Sequence, residues 1–220
     1  MTARESCENY PTGVVGHTDD PALSQLLDEI RDCRICAAHL PLGPRPVLQV
    51  GERARIQICA QAPGTRVHKT GLPFNDPSGD RLRRWMGIER DVFYDPSCIN
   101  IIPMGFCYPG KDPRGGDNPP RPECSATWHP RLFELLPGPS SEPSLKLVIG
   151  QYAHRFHLGQ RREKSLTETV RNWGAYGPSI IPLPHPSPRN TNWFRRNPWF
   201  EEEVVPAVQK SVAEILRRQT

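Results

Sequence analysis

Apolar residues in this chain fall in short runs separated by long polar stretches, and two periods can be read from them. Leu23, Leu26, Leu27 and Ile30 recur three and four positions apart, which places them on one face of a helix. Asp20 before them suits an N-cap and Pro21 the first helical position, so the spacing predicts a helix from 21 that ends near Cys36. From Arg55 to Ala60 the pattern alternates and then turns apolar, between polar residues and Pro63-Gly64. This suits a buried strand that leads into a loop. Three similar runs lie at 98–102, 145–149 and 179–183. Helical patterns fall between and after them at 78–85, 122–136, 151–158 and 165–173. A last helix carries Val204, Val205, Val208, Val212, Ile215 and Leu216, its regular part starting shortly before Pro206. Strands alternating with helices predict an α/β fold: a three-layer α/β/α sandwich around a central, mostly parallel four-stranded sheet.

Residues 1–19 show no period and are expected to form a flexible tail, leaving 20–220 as one domain. The stretch 137–143, rich in Pro, Gly and Ser, reads as a surface connection within it. Hydrophobic residues make up 36% of the 220, enough for a single core. The 26 prolines, well above the usual share of about 5%, exclude a compact helical bundle and require long stiff loops. No apolar run reaches the roughly 20 residues of a membrane span, and the first residues lack the pattern of a secretory signal. A cytoplasmic protein without membrane attachment is expected. The formal net charge of +4 arises from 28 basic residues, all but five of them Arg, the side chain suited to bidentate phosphate and base contacts. Nucleic acid becomes a candidate partner. Seven cysteines without an export signal point to thiols or metal ligands before disulfides.

In an open parallel sheet the working site forms where loops leave the carboxyl ends of strands. Those loops are 61–79, 103–121, 150–151 and 184–196. The first carries Gln61-Ala-Pro-Gly64 and then Gly71-Leu-Pro-Phe-Asn-Asp-Pro-Ser-Gly79, where Asp76 or Ser78 alone would be an ordinary helix cap. The last carries Pro184-His-Pro-Ser-Pro-Arg-Asn190. In this order, on these strand ends, the two stretches resemble the paired motifs of the uracil-DNA glycosylase superfamily. Cys33-Arg-Ile-Cys36, together with Cys107 and Cys124, is similar to the layout in the iron–sulfur glycosylases of families four and five. There, four cysteines hold a 4Fe-4S cluster. Four thiolates also suit tetrahedral zinc, which stays open as an alternative. Cys59 and Cys98 read as small core residues, and Cys7 lies in the tail.

The resemblance implies a role for each position. Phe74 would stack on an extruded base, with core packing as the competing reading. Asn100 would read the pyrimidine edge, Ala62 and Gly64 would line the base pocket, and Gln61 stands among the catalytic positions although it cannot act as a base. His185 would donate to the leaving base as charge develops on it. Ser187, Arg189 and Asn190, with Trp193 or Phe194 beside them, would hold the backbone and fill the gap left by the flipped nucleotide. Family four has Glu where this chain has Gln61, and an acidic first motif elsewhere in the superfamily has Asp where this chain has Ala62. Asp76 stands where family five carries an Asp ahead of Ser-Gly, and it becomes the acid/base candidate.

The expected activity is therefore hydrolysis of the N-glycosidic bond of uracil, or of a related deaminated base, in DNA. No Lys lies within the two motifs, although Lys69 is close, so a monofunctional enzyme acting as a monomer is expected. Two alternatives stand beside it: an iron–sulfur nucleic-acid-binding protein of the same fold with little or no catalysis, and a glycosylase for hypoxanthine or xanthine.

Overall fold

A computed structural model describes residues 10–113, 115–136 and 144–219. In chain order the principal elements are β1 (Val14–His17), α1 (Pro21–Arg31), β2 (Leu48–Gly51), β3 (Ile56–Cys59), α2 (Thr65–Thr70), α3 (Pro77–Met86), α4 (Arg90–Phe93) and β4 (Ile99–Ile101). They continue with α5 (Pro122–Leu135), β5 (Leu145–Ile149), α6 (Gly150–Leu158), α7 (Leu166–Arg171), β6 (Ile180–Leu183), α8 (Thr191–Arg196) and α9 (Val205–Gln219).

The sheet has six strands in the order β1-β2-β4-β3-β5-β6. The four strands expected from the sequence form its parallel half, β4-β3-β5-β6. The count of four is corrected by β1 and β2, which pair parallel to each other and join β4 antiparallel at Gln49 and Ile101. Both are short segments in stretches rich in Gly and Pro, without an apolar run of their own to stand out. The 1–19 segment is thus not wholly a tail, because Val14–His17 is an edge strand whose Val14 and Val15 are buried. Residues 1–9, including Cys7, and the 137–143 connection lie outside the described residues.

Alternation along the strands divides the core between two faces. Ile56, Ile58, Ile99, Ile101, Leu145, Leu147 and Ile149 pack against Leu82, Trp85 and Met86 of α3 and Val208, Val212 and Ile215 of α9. On the other face Leu48, Val50 and Ile102 meet Leu23, Leu26, Leu27 and Ile30 of α1 and Trp128 and Leu132 of α5. Helices thus cover both sides of the sheet, as the α/β/α reading requires.

Asp20 caps α1 by accepting the Ala22 N–H at 2.8 Å, with Pro21 beginning the helix. The helix ends at Arg31 and not near Cys36, since the chain turns there and leaves Cys33 and Cys36 in a loop. The last helix is preceded by a wide turn over Phe200–Val204, so Pro206 falls in the first turn of α9, where its missing N–H is harmless. Among the described residues no helix is long and apolar enough to cross a membrane.

Candidate active site

The carboxyl ends of the parallel strands open into a cavity of about 510 Å³. Gln61, Ala62, Gly64, Phe74, Asp76, His185, Ser187, Arg189 and Asn190 all line it. Every motif residue expected at the substrate is therefore gathered there except Asn100.

Its first wall is built by the turn into α3. Asp76 is the N-cap of that helix, and its Oδ1 accepts the N–H groups of Ser78 at 2.9 Å and Gly79 at 3.0 Å. The capping and cavity readings of Asp76 hold together, because the same side chain does both. Phe74 has φ of 53°, a left-handed conformation unusual for an aromatic residue. Gly79 makes room for it: a Cβ there would stand 1.7 Å from the Phe74 carbonyl oxygen. The Phe74 ring, half-buried, meets Phe93 edge-on with centroids 6.1 Å apart, so one part of it belongs to the core and another to the cavity. Tyr94 donates its hydroxyl to the Pro73 carbonyl at 2.9 Å and holds the same turn from behind.

The opposite wall is the loop after β6. His185 Nδ1 accepts the Ser187 N–H at 3.2 Å, which leaves the ring proton on Nε2 as a donor. Burial lowers the His185 pKa, while the nearby Asp76 carboxylate opposes that shift. A neutral imidazole results, donating at Nε2. Asn190 Nδ2 donates to the His185 carbonyl at 2.8 Å, and the Ser187 hydroxyl accepts the Arg189 N–H at 3.3 Å. Arg81 of α3 joins the two walls: its guanidinium donates to the carbonyls of Pro186 at 3.3 Å and Ser187 at 3.1 Å and lies 4.8 Å from the Phe194 ring centroid.

Two sequence expectations are corrected here. Asn100 is fully buried within β4, on the sheet face opposite Ile101, and its Oδ1 accepts the Gly51 N–H at 2.6 Å. Strand alternation sends Ile101 to the cavity and Asn100 away from it. Trp193 and Phe194 are packing residues, not free wedges: Trp193 donates to the Thr167 hydroxyl at 2.8 Å, and both rings join a cluster with Trp199 and Phe200. Cys98, as expected, packs against the core, half-buried, and its thiol donates a hydrogen bond to Asp95 at 3.6 Å.

The structure also brings in residues the motifs did not name: Asp117, Gln151 and Tyr152 line the cavity. For Asp117 and Gln151 the only signal was a position in the loops at 103–121 and 150–151, and Tyr152, within α6, had none. Asp117 sits on a turn closed by its pairing with Lys111 and by the Asn118 N–H bond to the Gly110 carbonyl at 2.8 Å.

A second, smaller cavity is lined by Cys33, Cys36, Cys107 and Cys124 together with Arg121 and Trp128. It lies where the end of α1, the loop after β4 and the start of α5 converge. Burial pushes the Cys107 thiol up to about 11 and Cys124 to about 12, with the neighbouring thiols adding to both. The Phe106 N–H donates to Cys124 Sγ at 3.3 Å. Among the described residues no group of three or more His, Cys, Asp or Glu side chains is arranged so that it could hold a metal ion; the four sulfurs share a cavity wall. Cys59, by contrast, is a fully buried strand residue whose thiol burial pushes up to about 12.

The family model of the uracil DNA glycosylase superfamily matches residues 48–209. That span contains β2 to β6, both walls of the cavity and the first third of α9. With more than half of its length matched, this chain belongs to the uracil DNA glycosylase superfamily.

Proposed function

We propose that the large cavity is the active site of a monofunctional DNA glycosylase that receives a deaminated base flipped from DNA and hydrolyses its N-glycosidic bond. The observation that carries this reading is the convergence of Phe74, Asp76 and His185 on one cavity. A half-buried aromatic offers a stacking face, which is worth about 1–3 kcal/mol per base. The Nε2–H of a neutral His185 donates to the leaving base, and such donors typically lower a barrier by about 2.7–4 kcal/mol. Asp76, held by two amides, supplies fixed negative charge beside an oxocarbenium-like sugar. Arg189 and Asn190 at the rim face the nucleic acid, with Ser187 ordering their turn.

The base preference has two readings. Uracil is the first, from the resemblance of the motifs. The burial of Asn100 away from the cavity favours the second, a wider range that includes hypoxanthine and xanthine, because the amide expected to select a pyrimidine edge is not among the lining groups.

The four cysteines line one cavity and have the composition that suits a 4Fe-4S cluster, and Cys33, Cys36, Cys107 and Cys124 would hold it. Ionising several thiols in one pocket needs a compensating cation, which a bound cluster or a zinc ion provides. When bound, an iron–sulfur centre joins three chain segments and supplies a redox-capable group; the hydrolytic chemistry belongs to the other cavity.

The test is incubation of anaerobically purified protein with single- and double-stranded DNA carrying uracil, hypoxanthine or xanthine, followed by alkali and a gel. Strand breaks from at least one substrate, lost in Asp76→Ala and His185→Ala, are the expected result. DNA binding without any abasic sites would replace this reading with a binding-only protein. Iron and acid-labile sulfide measured on the same preparation separate the cluster from zinc.

A further inference from the structure

Hydrolysis needs a group to receive the proton of the attacking water, and the cavity offers three titratable candidates: Asp76, His185 and Asp117. His185 is excluded by its own hydrogen bond, since Nδ1 already accepts from Ser187 and Nε2 carries a proton. Asp76 has Oδ1 occupied by two amides of the α3 first turn. Asp117 is placed differently. It hangs over the cavity mouth from its own hairpin, exposed to entering water, and its Oδ2 lies 3.5 Å from where a Cβ at Gly64 would stand. That is an ordinary van der Waals distance, which places the carboxylate beside the loop that carries Gln61 and Ala62, neither of which can accept a proton.

Resting on the glycosylase reading, we propose that Asp117 is a second catalytic carboxylate, the general base that takes the proton of the attacking water, while Asp76 remains the anchored charge beside the sugar. In this step the water oxygen bonds to C1′ as the bond from C1′ to the base nitrogen breaks. The electron pair of that bond leaves with the base, against the Nε2–H of His185. The water's proton passes to Asp117, which returns it to the departed base or to solvent.

The electrostatic surroundings agree with this division. Partial burial raises the Asp117 pKa above the ordinary carboxylate value, Arg189 and Lys111 act to lower it, and Asp76 raises it further. Two carboxylates in one cavity, one anchored by amides and one tuned upward, form the pattern of a charge stabiliser beside a proton-transfer group.

Single-turnover rates across pH 4–8 test the assignment on whichever deaminated substrate the wild type cleaves. Asp117→Asn, which keeps the side-chain shape, should lower the rate by about a hundredfold or more, with DNA affinity and thermal melting retained. It should also abolish the rise of rate with pH that reports the carboxylate. Asp76→Asn should lower the rate but keep that rise, and formate should partly restore Asp117→Ala. An Asp117→Asn rate within threefold of wild type, or an unchanged pH limb in a folded variant, overturns the role of Asp117 and leaves the glycosylase reading standing. A wild type inactive on every deaminated base overturns both.

Discussion

Asn100 shows how far a single position can depart from the role its neighbours suggest. Its motif context points to base reading, yet it lies on the sheet face away from the cavity and accepts the Gly51 N–H. It therefore belongs to the framework. Asn100→Ala should leave the preference among deaminated bases unchanged and lower stability by about 1–3 kcal/mol, the cost of a buried donor without its acceptor. A competition assay and urea unfolding of the same variant would check it, and a switch in base preference would return Asn100 to the site. Phe74 and Asp76 were singled out through the resemblance of the motif that holds them, and in both the structural reading also holds. Asp117 had no motif around it. Its relevance depends on a contact with Gly64, more than fifty residues earlier in the chain, which local sequence does not encode.

Among the elements, α3 connects the two halves of the site. Its N-cap is Asp76, its Gly79 admits the carbonyl of Phe74, and Arg81 two residues later holds the loop that carries His185. The amphipathic pattern of this helix was readable, and its predicted range of 78–85 lies within the observed Pro77–Met86. Its function as a brace was not readable, because Arg81 looks like any exposed helical arginine until the fold brings Pro186 and Ser187 beside it. Arg81→Ala should displace the His185 loop and lower the rate of base release by about tenfold to a hundredfold, since small misplacements of a catalytic group cost that much. DNA affinity should change far less, and added guanidinium should recover part of the rate. Full activity in Arg81→Ala would show that the loop holds its own shape. The short strands β1 and β2 went unread for a related reason: set among Gly and Pro they carry no apolar run, and their pairing partners alone make them strands.

The molecule keeps two buried histidines, His129 and His154, and the half-buried His157 neutral. Burial lowers His129 and His154 to about 4 and His157 to about 2. His154 Nε2–H is shared between the carbonyls of Val148 and Leu183, each 3.0 Å away, and His129 Nε2–H is given to Pro103 at 3.0 Å. In the unfolded chain these rings titrate near 6.5. The unfolded state thus binds protons between about pH 6.5 and 4 that the folded state refuses. The contribution of the neutral rings is fully present above pH 6.5 and is lost as pH falls through that window, at up to about 1.4 kcal/mol per pH unit for each histidine. Melting temperature should decline steeply from pH 6.5 to 4.5, and His154→Gln should flatten the decline. A melting temperature independent of pH across that window would contradict the burial of these rings.

Periodicity by itself determined the parallel half of the sheet, its flanking helices and the loops in which chemistry would be found, because local backbone geometry and burial of one face act over a few residues. The paired motifs in those loops identified the superfamily. Only the tertiary structure decided which side of β4 faces the cavity, that Trp193 and Phe194 serve the core, that Arg81 ties the two motifs together and that Asp117 completes the ring of titratable groups. Each of these rests on contacts between residues far apart in the chain. Such contacts depend on how the layers pack, and no stretch of sequence carries that information alone.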